Sequence, residues 1–418
     1  MQVLPTHIKY VGVLAVMFCA IAVHAGTQYV QPSASISAAV ALANSGDTIV
    51  LTKGVYNEHS ITITKPLVLK GVQGTVIDAR NQGRNILYVH SDSVRISGIT
   101  FKNVHVEYTN DNAAIKLDSV HYCVVERCSV VNGFFGIYLA RSGSCVIQNN
   151  TCIASNSGES QSGNGIHLWT CRNITVSNNT VIGHRDGIYF EFIKQSYVFQ
   201  NHSERNIRYG LHFMFSDSCT YKYNLFRDNG AGVAVMYTRN VIMEHNTFEH
   251  NWGPTAYGLL FKDISDSYVS NCTFIKNTAG IHAEECNRIT VVNNTFQQNG
   301  WAIRLRASSQ DSYFAKNNFI GNTFDVAINS SRSTCYFEKN YWSAYQGYDL
   351  NKDGVGDIPF APVRLSSAIV EKNGTSLMLL HSLFLNMLDA AEHVLPSLTP
   401  ETLIDTKPAM KPYTRTQQ

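Results

Sequence analysis

A group of sulfur and imidazole side chains in the middle of the chain is the first feature that could do chemistry. His212 and Met214 are two positions apart, so in a strand their side chains share one face. Met236 and Glu191 lie at about one repeat length on either side of Met214. Thioether and imidazole donors suit a soft ion such as Cu(I), whereas methionine usually fills gaps in cores. The pattern predicts a transient copper site at these four residues, or an apolar patch covered by a loop or another chain.

A second candidate metal site is an acidic run near the end of the chain. Asp349, Asn351 and Asp353, followed by a glycine, match positions one, three, five and six of a calcium loop. Asp357 would serve at position nine. Position twelve is Phe360, so the bidentate glutamate of an EF-hand is missing. The run predicts either a weakly held calcium ion or a plain acidic turn.

A repeat of about 22 residues decides which side chains share a face. Its units open with glycine and an apolar residue, at intervals of 29, 22, 23, 22, 26 and 22 residues. The openings are Gly136, Gly165, Gly187, Gly210, Gly232, Gly258 and Gly280. Within a unit the apolar residues alternate, which is typical of strands, and no helical period is seen. Three short strands fit one unit, so we predict an all-β solenoid, a parallel β-helix whose coils bury their apolar faces by stacking.

Columns of identical residues recur at the predicted corners of the coils. One asparagine column contains Asn150, Asn179, Asn201, Asn224, Asn246 and Asn294. A second contains Asn206, Asn229, Asn251, Asn277 and Asn299, and a phenylalanine column contains Phe226, Phe248, Phe274 and Phe296. We interpret the asparagines as amide ladders that bond coil to coil, and we assign these columns no chemistry.

The second and fourth positions after each glycine should point outward, because side chains alternate along a strand. This register places the four candidate copper ligands together on neighbouring coils and facing solvent. Farther along, Lys262, Glu284 and Arg306 alternate in charge, and we interpret them as surface ion pairs. A glycosidase needs two carboxylates facing one cleft, but Glu191 and Glu284 are four coils apart. We therefore predict that the chain is not an enzyme.

Composition and the chain ends indicate an exported protein. A net charge of +2 with 15% charged residues over 418 residues argues against nucleic-acid binding, which needs a basic stripe. Residues 1–25 resemble a secretory signal, with an apolar stretch too short to span a membrane easily. Beyond it we expect a β-helix over residues 26–345, with a helix at Ser35–Asn44 covering its open end. An acidic linker at residues 346–375 and a helical tail at residues 376–418 follow.

Cysteine usage leaves two alternatives open. Nine of the ten cysteines remain once Cys19 leaves with the signal, which is an odd number. Cys123 and Cys145 are 22 residues apart, so they should stack on adjacent coils at a separation that permits a disulfide. They are either bridged or buried free thiols.

Several stretches outside the glycine and asparagine columns are distinctive. They are residues 186–192, 208–216, 230–237, 300–306, 318–326, 340–350 and 388–403. In these stretches the chain resembles the NosD family, the periplasmic maturation factors of nitrous oxide reductase, over about residues 30 to 410.

This resemblance implies a right-handed β-helix and a periplasmic location. It implies a non-enzymatic assembly factor that helps an ABC transporter build the copper–sulfur centre of the reductase. Copper would arrive from a lipoprotein chaperone and pass toward nitrous oxide reductase, and the chain would be peripheral to the membrane through its partner. The alternatives are a carbohydrate-active β-helix, such as a uronate lyase or C5-epimerase, and a purely structural solenoid.

The predicted helical tail carries an apolar stripe that suits a groove in a partner helix bundle. The stripe consists of Leu377, Leu380, Phe384, Leu388 and Leu395. Under the resemblance we expect it to dock on the membrane subunit of the transporter. The alternative is packing against the last coil of the solenoid.

Overall fold

The computed structural model describes residues 25–107, 109–155, 158–306, 308–330, 333–379, 382, 387–388, 390–392 and 403–414. The secretory signal predicted at residues 1–25 therefore lies, except for residue 25, outside the described residues. Among the described residues, no helix combines the length and apolar character that crossing a membrane would need.

The chain coils into three parallel sheets, which confirms the predicted β-solenoid. Sheet A contains Thr27–Val30, Thr48–Leu51, Val68–Gly71, Arg95–Ser97, Val124–Glu126, Val146–Gln148, Thr175–Ser177, Tyr197–Phe199, Thr220–Lys222, Ile242–Glu244, Tyr268–Ser270, Thr290–Val292, Tyr313–Ala315 and Tyr336–Glu338. Sheet B contains Gly54–Tyr56, Thr75–Asp78, Thr100–Lys102, Ser129–Val131, Thr151–Ile153, Thr180–Ile182, His202–Glu204, Leu225–Arg227, Thr247–Glu249, Thr273–Ile275, Thr295–Gln297, Asn318–Ile320 and Tyr341–Trp342. Sheet C contains Ile61–Ile63, Leu87–Val89, Ala113–Asp118, Phe135–Ala140, Ile166–Trp169, Ile188–Glu191, Tyr209–Met214, Ala231–Arg239, Leu259–Ser265, Ala279–Glu284, Trp301–Leu305 and Phe324–Ile328.

The interior of the solenoid is a single apolar core built from aligned side chains. The predicted phenylalanine column is confirmed, and it extends to Phe319 and Trp342 with ring centroids 4.1–5.6 Å apart. Such a column forms because each parallel strand places the same residue position directly above that of the coil before it. Burial of these rings supplies the apolar contribution that a single coil lacks.

Both asparagine ladders are also confirmed. Asn150 donates from its backbone N–H and from Nδ2 to Oδ1 of Asn179, at 2.9 and 3.0 Å. The same pattern repeats at Asn201 and Asn224, and in the second ladder from Asn206 onward. Each amide thus satisfies buried backbone groups at a corner where the coils would otherwise leave them unpaired.

The first ladder ends on a residue from far along the chain. Asn340 donates from its backbone N–H to the Asp405 carboxylate at 2.9 Å and from Nδ2 at 3.1 Å. Trp342 Nε1 donates to the same carboxylate at 3.1 Å. Asp405 therefore takes the place of a further asparagine. We expected residues 376–418 to be a helical docking tail, but residues 403–414 form an extended cap that pairs with Phe337 and Tyr341.

Helices lie at the two ends of the coil. Helix α1 (Ile36–Leu42) falls within the predicted Ser35–Asn44 and buries Ile36, Ala39 and Val40. Ser35 Oγ accepts from the backbone N–H of Ala38, the usual N-cap interaction.

Helix α2 (Leu365–Lys372) and a 3₁₀ helix (Gly374–Leu379) follow the last coil. Val370 of α2 packs with Trp301, Phe324 and Ala327 of sheet C. This helix lies in the segment that we predicted as a linker, and its packing closes part of the outer face of sheet C.

The nine described cysteines are buried free thiols, Cys123 and Cys145 included. Most of them donate Sγ–H to the carbonyl two residues earlier, as Cys145 does to Gly143 at 3.3 Å. Ser196 and Ser267 make the same bond with their hydroxyls. The thiols thus serve as small corner residues of the coil.

Candidate functional site

The strand register brings the predicted copper ligands together on sheet C. Glu191, Met214 and Met236 are successive Cα partners across three strands, so they form one column on the outer face. His212 lies two residues before Met214 on the same strand and therefore shares that face. Met214, Met236 and Glu191 are each half-buried. A residue set spread over 46 positions of chain thus becomes one local group of side chains.

His212 does not face solvent as we predicted, since only 5% of it is exposed. The ring of Tyr209 lies 4.7 Å from its imidazole and the ring of Tyr189 lies 4.9 Å away, edge-on. These contacts continue a row of aromatic and imidazole rings along neighbouring coils through His167 and Tyr138. The prediction was wrong because alternation gives the direction of a side chain but not what packs over it.

Both ring nitrogens of His212 are buried and have no hydrogen-bond partner among the residues that the structure describes. Its nearest ionisable neighbour is Asp186, whose Oδ2 lies 3.8 Å from Nδ1. Burying a polar group unpaired costs roughly 1–3 kcal/mol, so native proteins rarely leave one without a reason. A ring nitrogen that carries no proton and makes no hydrogen bond has its lone pair free for a ligand.

Sequence reasoning missed Asp186, although the sequence held a clue. The residue just before each glycine opening is aromatic or small in most coils, as at Phe135, Tyr209 and Tyr257. Asp186 is the acidic exception, and the structure buries it completely. The Nε atoms of Arg185 and Arg208 lie 3.8 and 3.9 Å from its carboxylate oxygens. Neither carboxylate oxygen accepts a hydrogen bond from any residue in the described part of the chain.

Tyr189 contacts both the imidazole of His212 and the column of Glu191, Met214 and Met236, which we call the sulfur column. Its hydroxyl donates to Sδ of Met214 at 3.8 Å. Burial raises the pKa of Tyr189 to about 12, so the phenol keeps its proton and remains a donor at neutral pH. This contact holds one thioether beside His212.

The donor set fits a soft ion better than a hard one. Within the described ranges, no group of three or more His, Cys, Asp or Glu side chains is placed to hold a metal ion. Zinc and calcium sites in proteins are built from such groups. Thioether sulfur, by contrast, selects Cu(I). The buried, unpartnered imidazole next to two methionines fits this ion.

Beside the sulfur column runs a column of exposed aromatic side chains. Phe192, Phe215 and Tyr237 each follow a residue of that column and are 47%, 39% and 38% exposed. Their rings stack at 5.3 and 5.1 Å. All three have positive φ, as does the residue at this corner of other coils, such as Thr170 and Asp263, so the backbone conformation belongs to the fold. Exposed aromatic side chains that lie side by side are typical of surfaces that contact another molecule.

The acidic run forms a tight exposed turn. Asp349 accepts from the backbone N–H of Gly354 at 2.9 Å, and Asp353 accepts from Val355 at 2.8 Å. Asn351 Oδ1 accepts from the N–H of Asp353 at 3.0 Å, and Asp357 accepts from Leu350 at 2.8 Å. The carboxylates lie in one loop and accept bonds from its backbone, but in the described structure they are not placed together around one point. Calcium binding there stays a prediction.

The predicted docking stripe is described only in part. Leu380, Phe384 and Leu395 lie outside the described residues, as does the side chain of Leu377. Leu388 is half-buried. Docking through this stripe stays a prediction.

A polar cleft occupies the outer face of sheet C at its first coils. Its volume is about 440 Å³, and its lining includes Arg84, Tyr88, Lys116 and Asp118. Tyr88 donates its hydroxyl to Asp118 at 3.2 Å. Lys116 lies over the ring of Tyr138 at 4.6 Å, and burial lowers the pKa of this lysine.

The coil architecture and the sulfur-bearing outer face define a β-helix protein with a candidate soft-metal site. A family model for the right-handed β-helix region matches residues 55–191. The model described as "Periplasmic copper-binding protein (NosD)" matches residues 153–351, which include all four predicted copper ligands. The chain is therefore similar to the NosD proteins, which confirms the resemblance predicted from the sequence.

Two relatives show the same similarity. A protein of Stutzerimonas stutzeri named "Probable ABC transporter binding protein NosD" is 27% identical over 378 residues, with 86% of each chain covered. A protein of the same name from Pseudomonas aeruginosa is 27% identical, covering 84% of this chain and 86% of its own.

Solved structures show the fold alone. A mannuronic-acid-specific family 6 lyase from human gut microbiota aligns with a TM-score of 0.54 at 14% identity. The alignment covers 88% of this chain and 100% of the lyase.

Proposed function

We propose that the chain is a non-enzymatic periplasmic assembly factor for the copper–sulfur centre of nitrous oxide reductase. It handles Cu(I), sulfur or both, together with an ABC transporter. The proposal is supported by the description of the matching family and by the names of the two relatives. The observation that carries it is the adjacent pair of half-buried methionines, Met214 and Met236, beside the unpartnered imidazole of His212.

The different burial of the ligands suits transfer of a metal ion. Met214 and Met236 are partly accessible, whereas His212 is buried behind them. A partner could therefore replace one thioether at a time while the imidazole still holds Cu(I). Glu191, in the same column, adds a negative charge that attracts the cation.

Partners would approach over the exposed aromatic column of Phe192, Phe215 and Tyr237. In this proposal a lipoprotein copper chaperone delivers Cu(I), and nitrous oxide reductase receives it. Aromatic side chains are enriched in protein interfaces because they bury a large area at low cost in conformational entropy.

The transporter contact is proposed for the predicted stripe within residues 376–402. Residues 403–414 cap the solenoid, so a test must leave that segment in place. Replacing Leu380, Phe384 and Leu395 with alanine should abolish co-purification with the membrane subunit while leaving the melting temperature unchanged. Retained co-purification would remove the docking role.

A titration of Cu(I) against a chromophoric competitor tests the metal site. The double variant Met214→Ala/Met236→Ala should lose at least tenfold in affinity, because both sulfur donors are removed. Met378→Ala is the matched control, since Met378 is an exposed methionine on the 3₁₀ helix and is not part of the column that contains Met214 and Met236. Equal binding by the wild type and the double variant would eliminate this copper site.

The polar cleft supports a second candidate, a carbohydrate-active protein. Lys116, Tyr88 and Asp118 supply a cation, a phenol and a carboxylate in one groove. Incubation with uronate polymers, followed by the ultraviolet absorbance of unsaturated products and NMR of C5 configuration, tests it. Lyase or epimerase activity that Lys116→Ala abolishes would promote this candidate over the assembly factor.

A further inference from the structure

We propose that Asp186 is a positioning residue that fixes the tautomer of His212. The Asp186 carboxylate accepts a hydrogen bond from Nδ1–H of His212. This leaves the lone pair of Nε2 free on the side of Met214. This inference rests on the proposed copper function for its biological use, but it concerns two residues of the chain and is tested without the metal.

The Asp186 carboxylate is in an unusual state. Asp186 is completely buried, and neither oxygen accepts a hydrogen bond within the described part of the chain. Asp405, equally buried, accepts from five backbone or side-chain donors in the ladder cap, the backbone N–H groups of Lys339 and Lys407 among them. An unsatisfied buried carboxylate lowers stability. Its presence at residue 186 therefore points to a role other than holding the fold.

Three nitrogen-bearing side chains surround this carboxylate. Arg185, Arg208 and His212 approach it at 3.8, 3.9 and 3.8 Å. Both arginines are about one-third exposed, whereas His212 is buried with it. The two arginines place positive charge next to this carboxylate, and the imidazole approaches it from the buried side.

The imidazole of His212 has a defined direction relative to Asp186. Nδ1 is the nitrogen nearest Asp186, and Tyr209 and Tyr189 contact the ring from two neighbouring positions. The two nitrogens lie on different edges of the ring, so Nε2 points away from the carboxylate. Met214 lies on the other side of His212 along its own strand.

A carboxylate beside an imidazole can select one of its two tautomers. A neutral imidazole carries one proton, and the nitrogen without it is the one that binds metal. Histidine ligands commonly donate their other N–H to a carboxylate, which fixes the ring and the tautomer. Closing the separation of 3.8 Å to a hydrogen bond needs a shift of about 1 Å, which is small for a side chain.

Long-range ¹H–¹⁵N NMR of histidine-labelled protein tests the inference without copper. The His212 resonances are assigned by their loss in His212→Phe. Wild type should carry the proton on Nδ1, and Asp186→Leu should shift the population toward Nε2–H, since a leucine side chain cannot accept a hydrogen bond from Nδ1–H. Protonation on Nε2 in wild type, or an unchanged tautomer in Asp186→Leu, would overturn the inference.

Competition titrations with Cu(I) then separate the inference from the proposed function. Asp186→Asn should lower affinity by about tenfold, as second-sphere changes commonly do. Asp325→Asn is the matched control, a buried carboxylate of the same sheet several coils away. Unchanged affinity in Asp186→Asn overturns the positioning role even if the methionine variants lose copper. Absence of binding in wild type overturns the copper function, whereas the NMR result still decides the Asp186–His212 pair.

Discussion

Two regions of the molecule bury polar side chains in opposite ways. The asparagine ladders inside the corners satisfy each amide with bonds to the coils on either side. Asn224, for example, donates from Nδ2 to the carbonyl of Val198 on the coil before it and to Oδ1 of Asn246 on the coil after it. On the outer face of sheet C, Asp186 and His212 are just as buried but make no hydrogen bond in the described structure. The first arrangement stabilises a stack of coils, and the second reduces stability. We infer that the ladders are structural and that the outer face is kept for binding.

The largest expected effect is at the end of the first ladder. Asp405→Ala would leave the N–H groups of Asn340 and Trp342 Nε1 buried without an acceptor. Each unsatisfied group costs about 1–3 kcal/mol, so we expect a loss of roughly 3–5 kcal/mol in the free energy of unfolding. Chemical denaturation followed by circular dichroism measures it. Asp266→Ala, at an exposed ion pair, is the control and should change little. A loss below about 1 kcal/mol at Asp405 would contradict its role as the ladder cap.

A paired substitution then compares the two regions directly. Asn224→Ala should cost roughly 2–4 kcal/mol, because it breaks the ladder in both directions. His212→Phe keeps a ring of similar shape and removes unsatisfied nitrogens, so it should leave stability unchanged or slightly higher. Denaturant midpoints of the two variants measure the contrast. Equal destabilisation by both would show that the outer face is as structural as the ladder.

A pH-dependent effect is expected at Asp325, which accepts from Asn322 at the end of the second ladder. Burial raises the pKa of Asp325 to about 6 from its ordinary value of 3.8. Since the folded state favours the protonated acid, its contribution is complete below pH 4 and is lost as pH rises through about 6. The loss in wild type should be roughly 2 kcal/mol between pH 4.5 and 7. Asp325→Asn should flatten this part of the stability profile, and an unchanged slope would contradict the assignment.

The smallest effect concerns the acidic loop, which is exposed where the ladder is buried. Its carboxylates accept bonds from their own backbone, so the turn can form without an ion. If calcium binds there, Asp353→Ala should lower the melting temperature by a few degrees with calcium present, and much less in chelator. Differential scanning calorimetry in both conditions measures it. The same loss in both would identify a plain acidic turn.

The repeat predicted much of the fold because one period determines register in every coil. The Asn224 column, the Phe248 column and the adjacency of Met214 and Met236 all follow from that register. Features that depend on chain distant in sequence could not be predicted. Asp405 caps a ladder 65 residues earlier, and α2 folds back on sheet C. Periodicity describes the stack but not the segments that pack against it.

X-ray absorption at the copper edge of Cu(I)-loaded protein tests the central claim most directly. The arrangement of Met214, Met236 and His212 predicts a mixed shell of sulfur and one imidazole nitrogen. His212→Phe should remove the nitrogen component, and Met214→Ala/Met236→Ala should remove the sulfur. A shell without sulfur in wild type, or one that neither variant changes, would contradict a copper site on the outer face of sheet C.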